Sequence, residues 1–364
     1  MTVDLFRHSI AVIRNGQAAN GAYIASPAFP TYHYCWIRDG SFIAYAMDVV
    51  GEHDSAACFH RWVHRTVLTH GHKVARLEAK ADRGEPIAAS DWLHCRYTLD
   101  GREGDAEWSN FQLDGYGTWL WALTEHARLS GDHSVLAEFA DSVALVVRYL
   151  TRFWAQPNYD AWEEHGEYVH PSTLACLYGG LSAIAQARGG DPALEATCAA
   201  IRRYTLAHFV HSGHFTKFAD GRSIDANLLW LAVPFALVDP RDPLMTATVA
   251  ELERRCLTGG LHRYPEDTYY GGGEWLLLTA WLGWYYARVG NPDRARRLLA
   301  WVEAHADDQG DMPEQVTEHT NDPNMVAPWI NRWGPVAKPL LWSHAMYLVL
   351  RNEIANRGGA SDVA

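Results

Sequence analysis

Apolar residues recur at intervals of three and four along most of the chain, which is the periodicity of amphipathic α-helices. Between residues 41 and 50, for example, Phe42, Tyr45 and Val49 fall on one face, and Gly51 supplies a typical helix end. Similar patterns predict about a dozen helices, over residues 3–14, 41–50, 55–68, 111–130, 133–154, 171–188, 191–209, 223–237, 243–256, 273–289, 293–306 and 339–356. Strand-like alternation is scarce, so the predicted fold class is all-α.

The predicted helices follow one another without a long linker or a shift in composition. This indicates a single domain over residues 1–364, with a flexible tail expected over about 357–364. A dozen helices can bury their apolar stripes economically in a closed toroid of six inner and six outer helices. The longest connecting segments, 15–40, 71–110, 155–170, 259–272 and 307–338, would then gather on one rim. Long loops held by a rigid scaffold are common places for chemistry.

The net charge of the chain and its apolar runs indicate which kinds of binding partner are not expected. The 364 residues include 31 Lys and Arg against 43 Asp and Glu, a net charge of −12, so the basic surface of a nucleic-acid-binding protein is not expected. No apolar run reaches the roughly 18 residues of a membrane span, and no membrane partner is expected. The N-terminus carries charged residues where a secretory signal is apolar, and the six cysteines show no C-x-x-C spacing. Both features favour a cytoplasmic location.

Aromatic residues are abundant, with 16 Trp, 17 Tyr and 11 Phe. Tryptophan is costly to bury completely because its N–H needs a hydrogen-bond partner. A surplus of flat rings near a polar surface suits stacking on the apolar faces of sugars. The alternative is that these rings fill a large helical core.

Several long segments place charged residues beside aromatic rings. Residues 32–40 combine Tyr32, Trp36, Arg38 and Asp39 just before a predicted helix, a set suited to ring stacking and hydroxyl recognition. Comparable segments are 108–116, 160–164, 263–272 and 312–316. Each also has an ordinary interpretation, such as an aspartate at a helix start or adjacent glutamates in solvent.

Five motifs in this order resemble those of the family 15 glycoside hydrolases, the glucoamylase family. They are Tyr32-His-Tyr-Cys-Trp36-Ile-Arg38-Asp39, Trp108-Ser-Asn-Phe-Gln112-Leu-Asp114-Gly115, Trp162-Glu163-Glu164, Arg263-Tyr-Pro-Glu-Asp-Thr-Tyr269-Tyr270 and Pro313-Glu314-Gln315. The resemblance runs from about residue 20 to the C-terminus. It implies an (α/α)6 barrel with a pocket for a terminal glucose, and no N-terminal β-sandwich is expected.

The resemblance also implies a role for each matched residue. Glu163 is the expected general acid and Glu314 the expected general base. The expected sugar-binding residues are Tyr32, Trp36, Arg38, Asp39, Trp108, Trp162, Glu164, Arg263 and Tyr269. No cofactor or metal is expected. Family membership implies inversion with β-glucose as the first product, and therefore a separation of roughly 6.5–9.5 Å between the two carboxyl groups.

The two carboxyl groups need opposite protonation states at the working pH, because one gives a proton and the other accepts one. Trp162 is expected to shield the carboxyl group of Glu163 from solvent, and Glu164 places a second negative charge near it. Both effects are expected to raise the pKa of the acid.

Short α-glucosides are the expected substrates, because no starch-binding module is apparent. Among members of the family, the single-domain isomaltose glucohydrolases are the nearest functional comparison, although they can carry Phe where this chain has Tyr269. Isomaltose-type α-1,6 oligosaccharides are therefore favoured over starch, with α,α-trehalose cleavage and α-1,4 glucoamylase activity as alternatives. The sequence does not determine linkage, chain length or oligomeric state.

Two functions of other classes fit the sequence less well. Asp307-Asp308-x-x-Asp311 matches the metal-binding motif of terpene synthases, but Gly310 and Pro313 interrupt the helix which that motif needs. A non-catalytic sugar-binding protein would lack one of the two catalytic carboxylates, and both are present in the sequence.

His60 and His64 form a possible metal-binding pair at i, i+4 on one helix face. The pair lacks the Glu of an H-E-x-x-H motif and shows no third ligand in the sequence. Two ordinary helix-surface histidines are the favoured interpretation.

Overall fold

A computed structural model describes residues 3–219 and 221–358. Its fourteen α-helices within these residues are α1 (Leu5–Asn15), α2 (Ile37–Val49), α3 (His53–His70), α4 (His72–Asp82), α5 (Asp114–Ser130), α6 (Val135–Glu138), α7 (Ala140–Phe153), α8 (Pro171–Ala187), α9 (Pro192–His208), α10 (Pro243–Cys256), α11 (Leu276–Arg288), α12 (Pro292–Ala304), α13 (Val326–Trp333) and α14 (Leu341–Gly358). The described strands are β1 (Cys35–Trp36), β2 (Arg96–Tyr97), β3 (Val210–His211), β4 (His214–Phe215), β5 (Glu274–Trp275) and β6 (Gln315–Val316). They form the antiparallel pairs β1–β2, β3–β4 and β5–β6.

Most predicted helices correspond to helices of the structure, because their apolar periodicity matches the stripe that each one buries. The prediction over residues 223–237 was wrong: this segment contains only a short 3₁₀ helix, Ala226–Leu231. Pro234 explains the difference, since proline lacks the N–H that a helix needs at that point. Two helices, α4 and α13, occur in segments that were predicted to be loops.

The chain divides into two compact units. Unit A comprises residues 18–23 and 34–208, and unit B comprises the described parts of residues 1–17, 24–33 and 209–364. Of the predicted flexible tail, residues 357 and 358 belong to α14, and 359–364 lie outside the described residues. No helix in the described ranges is both long and apolar enough to span a membrane.

In unit A, α5 packs against α2 and α8, and its contact with α8 is a close approach of two backbones. A Cβ atom on Gly117 would lie 2.5 Å from the carbonyl oxygen of Cys176. A Cβ atom on Gly180 would lie 2.2 Å from the carbonyl oxygen of Gly117. Both positions therefore need glycine, because a methyl group would force the two helices apart.

Replacing Gly180 with Ala is expected to destabilise the protein by about 1–3 kcal/mol, the usual cost of an overpacked core. This corresponds to a fall in Tm of roughly 2–6 °C in thermal unfolding. Ser182→Ala, on the same helix at a half-buried position, is the matched control and is expected to leave Tm nearly unchanged. An unchanged Tm for Gly180→Ala would show that the helices can separate without cost.

In unit B, α11 packs against α12 and α14 around a cluster of tryptophans. The ring centres of Trp230 and Trp281 are 5.3 Å apart, and those of Trp281 and Trp342 are 6.2 Å apart. The indole N–H of Trp281 donates to the carbonyl of Val233 at 2.8 Å. Part of the tryptophan surplus thus fills the helical core, as the alternative interpretation of the composition held.

Candidate active site

Glu163 lies in the loop between α7 and α8 in unit A, and Asp160 shapes this loop. One carboxylate oxygen of Asp160 accepts the backbone N–H groups of Trp162 at 2.9 Å and Glu164 at 3.0 Å. The N–H of Glu163 donates to the carbonyl of Asp160 at 2.9 Å. Glu163 itself has φ of 69°, in the left-handed region that few side chains adopt. Such strain at a single residue is typical of functional sites.

The carboxyl group of Glu163 is surrounded by aromatic and cationic groups. The indole N–H of Trp36 donates to its Oε1 at 2.5 Å. Desolvation raises its pKa, while the charge of Arg38 and hydrogen bonding from the indoles of Trp108 and Trp36 oppose that rise. Desolvation is the largest effect, so the pKa stays above its ordinary value and the group holds a proton to higher pH.

Arg38 and Asp39 lie in the first turn of α2, directly after β1. The Nη1 of Arg38 donates to Gln112 at 2.9 Å and to Asp114 at 3.0 Å, and its Nε lies 3.2 Å from Asp39. Burial raises the pKa of Asp39 to about 7, with Arg38 opposing the rise and Glu163 adding to it. The charged fork predicted from the sequence is therefore present and rigidly held.

Arg96 is a residue of this cluster that the sequence did not reveal. The pairing of β1 with β2 places it opposite Trp36. Its guanidinium carbon lies 3.8 Å from the ring centre of Trp108 and 4.1 Å from that of Tyr34, both cation–π distances. Its charge also lowers the pKa of Glu163. No motif marks Arg96, because its position depends on a strand pairing between segments sixty residues apart.

In unit B, Glu314 lies just before β6, and its carboxylate accepts a hydrogen bond from a tyrosine pair. Glu314 is 4% exposed, and its N–H donates to the carbonyl of Ala337 at 2.9 Å. The hydroxyl of Tyr32 donates to Oε1 of Glu314 at 3.0 Å and lies 2.8 Å from the hydroxyl of Tyr269. A hydroxyl has one proton, so Tyr269 donates to Tyr32 in this arrangement. Such a chain of donors favours the ionised form of the carboxylate.

Burial raises the pKa of Tyr269 well above its ordinary value, and the charge of Glu314 adds to the effect. Tyr269 therefore stays protonated and remains available as a donor. Arg263, which is 4% exposed, also lies near this ring, with its guanidinium carbon 5.2 Å from the ring centre. It makes a two-pronged ion pair with Asp267, in which Nε donates at 2.7 Å.

The loop that carries Arg263 and Tyr269 folds back on itself at Gly272. This residue has φ of 66°, and a Cβ atom there would lie 2.1 Å from the carbonyl oxygen of Asp267. Asp267 also accepts the N–H of Tyr269 at 2.9 Å. The turn and this carboxylate together position both predicted side chains.

Helix α13 contributes two further aromatic residues to unit B that were not predicted. The ring centre of Tyr269 is 5.0 Å from that of Trp329 and 6.1 Å from that of Trp333. This helix lies within the predicted loop 307–338 and has only eight residues, with a proline in its first turn. Proline is tolerated there, where the first N–H groups have no partner inside the helix.

The predicted residues thus form one cluster in each unit. In unit A, Trp36, Arg38, Asp39, Trp108 and Glu163 lie together, and Trp162 and Glu164 share the loop of Glu163. In unit B, the cluster contains Tyr32, Arg263, Tyr269 and Glu314.

The aspartates of the terpene-synthase-like motif have structural roles. Asp307 accepts the N–H groups of Gln309 and Asp311 at 2.9 Å each, and Lys338 pairs with it at 2.7 Å. Asp311 is 2.8 Å from the ring nitrogen of His8. These carboxylates thus hold a turn, an ion pair with Lys338 and a contact with His8.

The chain is similar to known proteins along nearly its whole length. The model of the "Glycosyl hydrolases family 15" matches residues 5–352. An isomaltose glucohydrolase of Kribbella flavida is 42% identical over 358 residues, which covers 96% of this chain and 92% of that protein. Trehalase 1 of Sulfolobus acidocaldarius is 24% identical over 74% of this chain. The chain spans 48% of that trehalase, about half its length.

Solved structures show the same relationship. A glycosidase in its wild-type form superposes with a TM-score of 0.93 at 42% identity, over 97% of this chain and 96% of its own. A variant in complex with glucose gives the same values. A bacterial glucoamylase bound to acarbose superposes with a TM-score of 0.75 at 19% identity, over 97% of this chain and 55% of its own, which concerns the fold alone. The predicted fold class, an all-α (α/α)6 barrel, is confirmed.

Proposed function

This chain belongs to the glycosyl hydrolases of family 15, and from that premise we propose that it releases glucose from short α-glucosides with a preference for α-1,6 linkages of the isomaltose type. As a member of the family it is an inverting, exo-acting α-glucoside hydrolase. The preference rests on one observation: identity to the isomaltose glucohydrolase is 42% and extends over nearly the whole of both chains.

We assign the role of general acid to Glu163. The proton on its carboxyl group would pass to the glycosidic oxygen as the bond to the leaving group breaks. The support is electrostatic, because desolvation raises the pKa of Glu163 despite the opposing charge of Arg38. The indole of Trp36, which donates to Oε1, fixes the orientation of the carboxyl group.

We assign the role of general base to Glu314. Its carboxylate would accept a proton from the attacking water, which adds to the anomeric carbon from the side opposite the leaving group and gives inversion. The support is the donor chain from Tyr269 through Tyr32 to Oε1, since hydrogen bonds from phenols stabilise the ionised form.

We assign sugar binding to the remaining predicted residues. Arg38 and Asp39 offer a rigid donor and acceptor pair for the hydroxyl groups of a terminal glucose. Trp36 and Trp108 offer ring faces on which a sugar can stack. The guanidinium of Arg96 packs against the ring of Trp108 and holds it in place. The proposed set is completed, on the resemblance of their motifs, by Tyr32, Trp162, Glu164, Arg263 and Tyr269.

Replacing Tyr269 with Phe is expected to move the acidic limb of the pH profile of kcat/KM upward by about half a pH unit, with less than a threefold change in kcat at the optimum. The reason is that Tyr32 loses its donor, so the ionised form of Glu314 is less well stabilised and the base is protonated at higher pH. Initial rates between pH 3 and pH 8 measure this shift.

Tyr270→Phe is the matched control for that experiment. The hydroxyl of Tyr270 donates to the carbonyl of Gly334 at 2.9 Å rather than to Tyr32. Its loss is expected to leave the acidic limb in place. Equal shifts in both variants would mean that general loosening of the loop, rather than the donor chain, moves the limb.

A substrate panel tests the proposed linkage preference. Isomaltose, panose, maltose, α,α-trehalose and soluble starch are incubated with the enzyme while proton NMR follows both the amount and the anomer of released glucose. The proposal expects the highest kcat/KM on isomaltose, with β-glucose appearing first. Faster cleavage of maltose or trehalose would replace it with the glucoamylase or trehalase alternative.

We also propose that the enzyme works on oligosaccharides in the cytoplasm. All six cysteines are free, and five of them are buried, which suits a reducing compartment. Cell fractionation with an antibody against the protein tests the location. Recovery from the medium or the periplasm would contradict it.

A further inference from the structure

Three side chains meet in unit A where α2 ends, α3 begins and α5 passes. Asp48 is 2% exposed and His126 is 3% exposed, while the side chain of His53 is 36% exposed. The Oδ1 of Asp48 lies 2.8 Å from the Nδ1 of His53 and 2.8 Å from the Nδ1 of His126. One ligand-type atom from each of these residues lies within 4.8 Å of the others.

A third histidine adjoins this cluster. His60 lies two turns along α3 from His53 and is completely buried, so the prediction of a helix-surface histidine was wrong at this position. Its ring centre is 5.1 Å from that of His126. Within the described residues neither of its ring nitrogens has a hydrogen-bond partner. Burying a polar nitrogen without a hydrogen bond raises the free energy of the folded state, so the burial of the His60 ring needs a specific explanation.

From these contacts we propose that Asp48, His53, His60 and His126 form a binding site for a divalent transition metal of the zinc class. Three imidazole nitrogens and one carboxylate oxygen are ligands that Zn²⁺ accepts in tetrahedral sites. Ca²⁺ and Mg²⁺ are disfavoured because they prefer oxygen ligands. Four protein ligands leave no open position, so the role of the metal is structural.

The spacing of the rings suits this assignment. Two imidazoles on one tetrahedral zinc, with Zn–N bonds of about 2.0 Å, have ring centres roughly 5 Å apart. The ring centres of His60 and His126 are 5.1 Å apart. The nitrogens of His60 are not among the ligand atoms that lie within 4.8 Å of one another, so this ring must also rotate for a nitrogen to bind the metal. His53 is farther from His126, at 6.5 Å between ring centres, but its side chain is partly exposed and can rotate inward. That exposure also gives the ion a path from solvent.

Binding of the metal would change both the ring nitrogen that carries the proton and the spacing of the ligand atoms. In the tautomer in which Nδ1 of a neutral histidine donates to Asp48, the Nε2 atom of that ring carries no proton. When Nδ1 binds the metal, the proton moves to Nε2. The ligand atoms must also separate from about 2.8 Å to roughly 3.3 Å, the spacing around a tetrahedral zinc.

The proposed site is distinct from the catalytic assignments. Asp39 lies in the first turn of α2 and Asp48 near its last residue, nine residues or about 14 Å along the helix. A metal bound to Asp48 would join α2, α3 and α5. We therefore expect it to change stability far more than turnover.

The test uses the full chain after treatment with a chelator and dialysis. Zinc chloride is titrated in by calorimetry, bound metal is counted by elemental analysis, and Tm is measured with and without zinc. The expected result is one ion per chain, with a Tm higher by roughly 3–6 °C when free zinc is about a hundredfold above Kd. Co²⁺ in place of Zn²⁺ is expected to give the intense visible absorption of a tetrahedral site.

Variants identify the ligands. Asp48→Asn, His53→Gln and His60→Phe are each expected to weaken zinc binding at least a hundredfold. His53→Gln replaces a partly exposed side chain at the start of a helix. This variant therefore still tests zinc binding if the variants at the buried positions 48 and 60 fail to fold. His64→Gln is the matched control, because this histidine lies one turn beyond His60 and bonds to Ser142 at 2.8 Å.

Three outcomes would overturn the proposal. Absence of stoichiometric binding at 10 µM free zinc would mean that the cluster is a hydrogen-bond network around Asp48. Equal loss of binding in His64→Gln would assign the zinc to scattered surface histidines. Unchanged binding in His60→Phe would refute the four-ligand site. None of these results bears on the hydrolysis of α-glucosides, which is measured separately.

Discussion

Glu163→Gln is expected to lower kcat on isomaltose about a thousandfold while KM changes less than fivefold. A positioned general acid typically contributes two to four orders of magnitude to the rate, because the leaving sugar would otherwise depart as an alkoxide. Glutamine keeps the size and the acceptor oxygen that Trp36 contacts, but it has no acidic proton. The fall in kcat therefore measures the loss of proton transfer and not a change in the structure of the loop that carries Glu163.

A substrate with a good leaving group separates the acid from other roles. α-Glucosyl fluoride needs little protonation as the fluoride departs, so Glu163→Gln is expected to hydrolyse it within about tenfold of the wild-type rate. Glu164→Gln is the matched control, one residue along in the same loop, and is expected to show no such selective rescue. Comparable losses on isomaltose and on the fluoride would remove the assignment of Glu163 as the acid.

The pH profile provides a second readout of the acid. The acid works only while protonated, so kcat/KM falls as pH rises through the pKa of Glu163. Because desolvation raises that pKa, the alkaline limb should lie above the ordinary range of a glutamate. This limb is expected to disappear in the residual activity of Glu163→Gln.

Glu314→Gln is expected to lower kcat by about three to four orders of magnitude on isomaltose and on α-glucosyl fluoride alike. The base activates water whatever the leaving group is, so a better leaving group cannot replace it. Glutamine preserves an oxygen that can accept the hydroxyl of Tyr32, and Tm is expected to change by less than about 2 °C. Stopped assays of glucose release with each substrate measure the effect.

The two variants together form a crossed test. Rescue by the fluoride in Glu163→Gln, and its absence in Glu314→Gln, assigns the acid and the base separately. The reverse pattern would exchange the two roles. Wild-type rates in Glu314→Gln would require another base, and the tyrosine pair that contacts Glu314 would then need a different explanation.

Sequence motifs alone are enough to predict both proposed catalytic residues. Trp162-Glu163-Glu164 and Pro313-Glu314-Gln315 are contiguous motifs, and their resemblance to the family could be seen without any structure. The reason Glu163 holds its proton could be predicted only in part. The sequence suggested that Trp162 and Glu164 raise its pKa. In the structure burial raises the pKa, while Arg38, Trp108 and Trp36, which approach from other segments, lower it.

By itself the sequence determined the helical class, most helix positions and the family, and it predicted the residues of the five motifs that lie in the two clusters. These depend on periodicity and on short motifs, which are properties of neighbouring residues. Only the tertiary structure revealed Arg96 beside Trp108, α13 beside Tyr269 and the cluster of His60 with His126. Each of these contacts joins residues far apart in the chain, and such contacts depend on how helices and strands pack rather than on local pattern.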